Sequence, residues 1–291
     1  MVNAAFSSTD LVAAAVLTGA SYAVLAGCEL LAVTNAGLHL SARRIVTTAF
    51  LGCAVSNTLG YAAVSGAAVR YRLYRVGKIT TRQLAGVMAF YSGTFWLGLV
   101  VVGGWALWHT ETPVFAGHAG ASWTRLVGAA LLLASPLYLL ACRFWRCLRI
   151  LGRAVELPDW RVASAQYLLS VLDWALSAGV LWVLLPDPRP PVVSVIAAFA
   201  VAQLVGAVSH LPGGIGVFET LIVLQLGPGV ATAPLLVALA AFRGIYYLAP
   251  FALAVVAIAA YEGRQHWPQR SWWRGRSAPS VVGPNLGSTT S

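Results

Sequence analysis

Residues 209–219, SHLPGGIGVFE, interrupt an otherwise apolar part of the chain and cannot continue a helix through it. Pro212 lacks a backbone donor and clashes with the turn before it, while Gly213, Gly214 and Gly216 are poor helix formers. The backbone N–H and C=O groups released there need partners. In lipid, broken backbone survives only where protein buries it or a water-filled cavity receives it. With His210 and Glu219 in the same eleven residues, the stretch is the first candidate binding site.

The surrounding sequence explains why lipid is the relevant solvent. Over 291 residues, 59% are hydrophobic, 10% are charged and mean hydropathy is +0.76, with repeated apolar runs of about 20 residues. These values exclude a soluble globule and predict an all-α polytopic membrane protein, with about six full spans plus two re-entrant or broken helical segments. The formal charge of +10 does not indicate a nucleic-acid partner, because the basic residues bracket the apolar runs as orientation signals and anionic-lipid contacts do. Cys28, Cys53, Cys142 and Cys147 have no CxxC spacing and read as packing residues, so neither a metal site nor a disulfide framework is expected.

In chain order, residues 11–34 form the first span, with no basic region or cleavage site of a signal peptide before it. Glu29 near its end is either an interfacial carboxylate or part of a polar cavity. Residues 45–69 are long enough to cross, but Ser56, Asn57, Gly60, Ser65 and Gly66 interrupt them. Arg43 and Arg44 precede this segment, and Arg70, Arg72, Arg75, Lys78 and Arg82 follow it. A re-entrant pair of half-helices breaking near residues 57–60 keeps both flanks on the cytoplasmic side, as the positive-inside rule requires. Residues 84–108 lead out to a loop with Glu111 and no Lys or Arg; residues 126–141 return to a cytoplasmic loop carrying Arg143, Arg146, Arg149, Arg153 and Arg161.

Residues 162–185 go out to the proline-rich turn at 186–191, and residues 192–209 come back to the glycine stretch. Residues 217–226 are too short to span and read as the second half of a broken helix. Residues 235–260 then cross inward. The transmembrane domain is placed at 1–262, and residues 263–291 form a tail that is basic and aromatic, then disordered. The four cytoplasmic groups hold 16 of the 19 Lys and Arg residues, which leaves Arg125, Arg189 and, inside the last span, Arg243. This path puts the N-terminus outside the cytoplasm and suggests that a helix preceding the first one is missing.

Two interrupted segments, one in each outer third of the chain, are the sequence pointer to a transporter site built from broken helices. Close helix packing by small residues is the alternative. On a regular helix Arg243, Tyr246, Tyr247 and Pro250 share one face. There the guanidinium can hold a phosphate bidentately and the phenols can add hydrogen bonds, or Arg243 can pair internally with Glu219 or Asp173. Asp173 lies mid-span, where a carboxylate usually faces a cavity. His210 is either titratable or a packing residue. Arg70, at the end of the first interrupted segment, completes the candidate substrate-binding set. No nucleotide-binding, metal-ligand or nucleophile motif is present, so no cofactor and no self-contained transferase chemistry are expected.

Residues 56–77 (SNTLGYAAVSGAAVRYRLYRVG), 94–98 (TFWLG), 209–219 (SHLPGGIGVFE) and 243–250 (RGIYYLAP) resemble the transmembrane region of the aminoacyl-phosphatidylglycerol synthase/flippase (MprF-like) family in its stand-alone form. With the spacing of the spans, the resemblance covers residues 11–262. It implies translocation of a phospholipid such as lysyl- or alanyl-phosphatidylglycerol across the bacterial cytoplasmic membrane, lowering its negative surface charge and giving resistance to cationic antimicrobial peptides. The family's synthase helices and cytosolic domain have no counterpart, and Glu29 stands where an aspartate is expected. Membrane phospholipid is the expected partner, with a homodimer and a separate lipid synthase as further candidates; a non-transporting partner of such a synthase is the alternative function.

Overall fold

The structure is a computed structural model that describes residues 6–59, 62–74, 79–109, 120–145, 147–150, 153–209 and 211–270. Its order is α1 (Ser8–Asn35), α2 (Ala42–Leu59), α3 (Ala62–Tyr74), α4 (Thr81–His109), α5 (Gly120–Phe144), β1 (Cys147–Ile150), β2 (Arg153–Glu156), α6 (Trp160–Val183), α7 (Val192–Val208), α8 (Val217–Leu226), α9 (Thr232–Phe242) and α10 (Ala249–Arg270). A 3-10 turn at Pro212–Gly214 joins α7 to α8, and a π-helical turn at Arg243–Leu248 joins α9 to α10. Met1–Ala254 is one compact unit and Val255–Ser291 another; the helices that build the site belong to the first.

The expected all-α membrane class holds. Five helical segments are long and apolar enough to cross a membrane: Ser8–Asn35, Thr81–His109, Trp123–Phe144, Trp160–Val183 and Thr232–Ala260. The expected sixth span is the 17-residue α7, which pairs with the 10-residue α8. The basic loop after α5 holds a short antiparallel ribbon, β1 with β2, that helical periodicity does not reveal. The acidic loop at 110–119, residues 60 and 61 and the tail beyond 270 lie outside the described residues.

Local chemistry sets the ends that matter. Ser7 caps α1 by accepting from the Thr9 N–H at 3.2 Å while Asp10 Oδ2 accepts from the Ser7 N–H, so two orphan donors of the first turn are satisfied reciprocally. Asp159 caps α6 through the Arg161 N–H at 3.0 Å. Arg189, left over from the charge pattern, pairs with Asp10 at 2.7 Å and so joins the turn after α6 to the start of α1.

The first interrupted segment is an antiparallel hairpin. A Cβ on Gly66 would lie 3.3 Å from Ser56 Cβ, and one on Gly52 would lie 3.1 Å from Arg70 Nη1, so positions 56 and 52 of α2 face 66 and 70 of α3. Arg70 corrects the charge pattern drawn from sequence. It is not an interfacial group but a fully buried one, 1% exposed, whose Nε and Nη2 donate to Glu29 of α1 at 2.7–2.9 Å. Tyr74 adds a hydroxyl to Glu29 Oε1 at 2.9 Å, and Tyr91 offers its ring face to the guanidinium at 4.5 Å. Glu29 is therefore neither interfacial nor in a polar cavity: it neutralises the one buried cation of the hairpin and ties α3 to α1.

Removing one member of such a pair leaves an uncompensated charge, whereas replacing both with apolar groups is often neutral. Glu29→Gln should lower stability by about 3–5 kcal/mol, and Glu29→Met with Arg70→Met should recover most of that loss. Thermal unfolding in detergent checks this; equal loss in the single and double variants would contradict it.

Candidate functional site

The two interruptions meet. A Cβ on Gly213 would lie 3.3 Å from the Thr58 carbonyl oxygen, 3.6 Å from that of Asn57 and 3.5 Å from Arg243 Nη1, so only glycine lets the 3-10 turn seat on the end of α2. Its φ of 58°, with 63° at Gly214 and 85° at Gly216, lies in the left-handed region that glycine enters without a steric penalty. Gly214 also brings its backbone against Gly206 of α7, which closes the α7–α8 hairpin.

Arg243 holds this junction. Its Nε donates to Glu219 Oε1 at 2.7 Å, and its Nη1 donates to the Gly213 carbonyl at 2.6 Å. Glu219 Oε2 accepts from the Gly216 N–H at 2.7 Å, so the carboxylate both caps α8 and anchors the guanidinium. The rings of Phe218 and Tyr247 lie 5.2 and 4.8 Å from Arg243 Cζ. Of the two partners considered for Arg243, the structure gives Glu219 and not Asp173.

The π-helical turn revises the regular-helix geometry expected for residues 243–250. It widens the backbone, and its free carbonyls are taken by neighbours: Tyr246 O accepts from Tyr22 Oη at 3.4 Å and Tyr247 O from Thr58 Oγ1 at 3.3 Å. Such single turns recur at functional sites. The hydroxyls of Tyr246 and Tyr247 point apart from the guanidinium's own bonds. Tyr246 Oη sits between Ser21 Oγ (2.9 Å) and Ser177 Oγ (2.7 Å), and Tyr247 Oη accepts from Gln203 Nε2 at 3.5 Å.

Above the junction is a cavity of about 450 Å³. Its polar side is formed by Ser56, Asn57, Asp173, Gln203, Tyr246 and Tyr247, and its apolar walls include Leu25, Phe95, Trp96, Trp174 and Leu211. Gly98 of the TFWLG stretch explains one wall, because any side chain there would overlap the Trp174 ring. Asp173 Oδ1 accepts from Ser21 Oγ at 2.6 Å. No described residue lining the cavity is Lys or Arg.

Of the candidate residues, Asp173, Gly213, Gly214, Tyr246 and Tyr247 line the cavity, while Arg243, Glu219 and Gly216 lie beside it at the junction. Arg70 is placed elsewhere, in its pair with Glu29. His210 lies outside the described residues. Sequence reasoning missed Ser21, Ser177 and Gln203 as site residues and read Asn57 only as a helix interruption: isolated hydroxyls and amides in apolar helices carry no signal until packing brings α1, α6 and α7 to one space.

Five membrane-capable helical segments, with two broken-helix hairpins meeting at an amphipathic cavity, define a multi-pass membrane protein. A sequence profile for the family described as the lysylphosphatidylglycerol synthase TM region matches residues 1–254, and the chain belongs to this family. It is 32% identical over 275 residues to the protein slr0712 of Synechocystis sp., covering 90% of this chain and 82% of that one. It is 28% identical over 264 residues to the inner membrane protein YbhN of Escherichia coli, covering 89% and 82%. With a phosphatidylglycerol lysyltransferase of Staphylococcus aureus it shares 24% over 245 residues, 82% of this chain but 28% of that protein.

Arg243→Lys keeps the charge but cannot serve Glu219 and the Gly213 carbonyl with a rigid fork. It should lower thermal stability by about 1.5–3 kcal/mol, the range for a hydrogen bond to a charged group. Unfolding temperature against wild type checks this, and an unchanged value would remove Arg243 as the clamp of the junction.

Proposed function

We propose that this chain is a lipid translocator of the bacterial cytoplasmic membrane, not an enzyme, and that it moves a phospholipid whose headgroup carries an ammonium group, such as an aminoacylated phosphatidylglycerol. The observation that carries this reading is the cavity: one carboxylate, Asp173, among hydroxyls and amides, with apolar walls and no described Lys or Arg in its lining. Such a site suits a cation with an apolar body. An anionic headgroup would find no counter-charge in the lining, since Arg243 lies beside the cavity with its Nε and Nη1 bound to Glu219 and Gly213 and only Nη2 without a partner.

Family membership supports the same substrate class. The lysyltransferase relative is named for transferring lysyl groups to phosphatidylglycerol, a reaction whose product bears ammonium groups. The region shared with that relative would be the part that handles such a lipid. Polar backbone and side chains gathered around an open space favour passage of a headgroup over the alternative, a non-transporting partner, for which a packed interior would serve.

The test is reconstitution in liposomes with fluorescent lysyl-phosphatidylglycerol in one leaflet. Wild-type protein should redistribute it, and Asp173→Asn should slow this at least about tenfold, since losing one partner of a desolvated charge pair costs about 2–5 kcal/mol. Wild-type transport retained in Asp173→Asn would reject the headgroup contact. Failure to move any phospholipid tested would favour the partner role.

A further inference from the structure

Glu29, Asp173 and Glu219 are three carboxylates on helices packed into the apolar unit, and they are not balanced alike. Glu29 has Arg70 at 2.7 Å, and Glu219 has Arg243 at 2.7 Å. Asp173 has only a hydroxyl: Ser21 donates to Oδ1 at 2.6 Å, and no described residue donates to Oδ2. A carboxylate removed from water must be neutralised by a proton or paired with a cation. Two of the three carry a built-in cation, and the third faces the cavity without one.

We propose that Asp173 is an exchange site occupied in turn by a proton and by the ammonium group of the lipid, so that lipid movement is coupled to proton counter-movement. The proposal rests on the translocation reading and adds the energy source. The exchange balances: the O–H bond of the neutral acid breaks, the proton leaves to water, and the ammonium pairs with the carboxylate left behind. One positive charge replaces another at the same oxygen pair, and the reverse step returns the proton from the opposite side.

The hydrogen bonds around Asp173 suit this role. Each hydroxyl has one hydrogen to give. Ser21 gives its own to Asp173, so it accepts from Tyr246, which in turn accepts from Ser177. The chain Ser177, Tyr246, Ser21, Asp173 therefore donates in one direction, toward the carboxylate, and supports the ionised form without a fixed charge. A proton arriving on Oδ2 from the cavity leaves every one of these bonds intact, so the site can be neutralised and recharged without being rebuilt. The chain also joins α1, α6 and the π-helical turn that bears Arg243.

Among the described residues, other titratable groups near Asp173 are few. Tyr22 and Cys28 on α1, Tyr91 on α4, and Tyr246 and Tyr247 of the π-helical turn lie within its electrostatic reach. On α5, Tyr138 meets α6 at Gln166, about two turns earlier. Helices α7 and α9 contain no titratable side chain. Arg70 and Arg243 are held by their own carboxylates.

The experiment uses the purified full chain in liposomes with fluorescent lysyl-phosphatidylglycerol in one leaflet and a pH-sensitive dye inside. An imposed pH gradient should change the rate of lipid redistribution several-fold, with opposite gradients acting in opposite senses, and lipid movement should be accompanied by proton flux. Ser21→Ala removes the donor that favours the ionised form. Its transport should persist with the pH profile displaced to higher pH by about 1–2 units, the size of one hydrogen bond to a charged group. Lipid movement indifferent to the gradient and without proton flux would overturn the coupling while leaving translocation in place. Gradient-driven transport with an unmoved profile in Ser21→Ala would overturn the assignment to Asp173. No lipid movement under any gradient would remove both readings.

Discussion

The contact on which the rest of the site depends is the fork of Arg243. A chain broken at residues 212–216 inside an apolar unit exposes carbonyls and N–H groups that lipid cannot satisfy. Arg243 takes the Gly213 carbonyl with one arm and Glu219 with the other, and Glu219 in turn takes the Gly216 N–H. Four residues, Arg243, Glu219, Gly213 and Gly216, thus repair one break, and the repaired turn becomes the surface on which Asn57 and Thr58 of α2 rest. Without that repair neither the α7–α8 hairpin nor the floor of the cavity has a reason to hold its shape.

The same logic is used twice. Arg70 of the α2–α3 hairpin is neutralised by Glu29 of α1, so each broken-helix hairpin is fixed to its surroundings by one buried or half-buried Arg–Glu pair. Such pairs contribute little net stability once desolvation is counted, but leaving either partner alone is costly, so they specify which elements meet. Asp173 is the carboxylate to which this scheme assigns no cation, and it lines the cavity beside which the two hairpins meet.

Much of this was legible in the sequence, and for identifiable reasons. Helix-breaking residues in apolar surroundings are rare enough that residues 209–219 and 56–66 announced themselves, and the short segment 217–226 could be read as half of a broken helix from length alone. Arg70 was misread because charge patterning treats every basic residue between apolar runs as interfacial. Its partner Glu29 is 41 positions away and becomes its neighbour only when α3 folds back along α2, which itself packs on α1. The π-helical turn was hidden because Arg243, Tyr246 and Tyr247 fit regular helical spacing; what selects the wider turn is the supply of donors, Tyr22 and Thr58, on other helices. Ser21, Ser177 and Gln203 were invisible for the same reason, being ordinary residues until tertiary packing converges them.

The central claim is that the cavity recognises a cationic headgroup through Asp173. Native mass spectrometry of the protein released from membranes containing lysyl-phosphatidylglycerol, phosphatidylglycerol and phosphatidylcholine tests it directly. The account predicts selective retention of the aminoacylated lipid by the wild-type protein and loss of that selectivity in Asp173→Asn, with the variant still folded. Retention that follows lipid abundance in both proteins would contradict it.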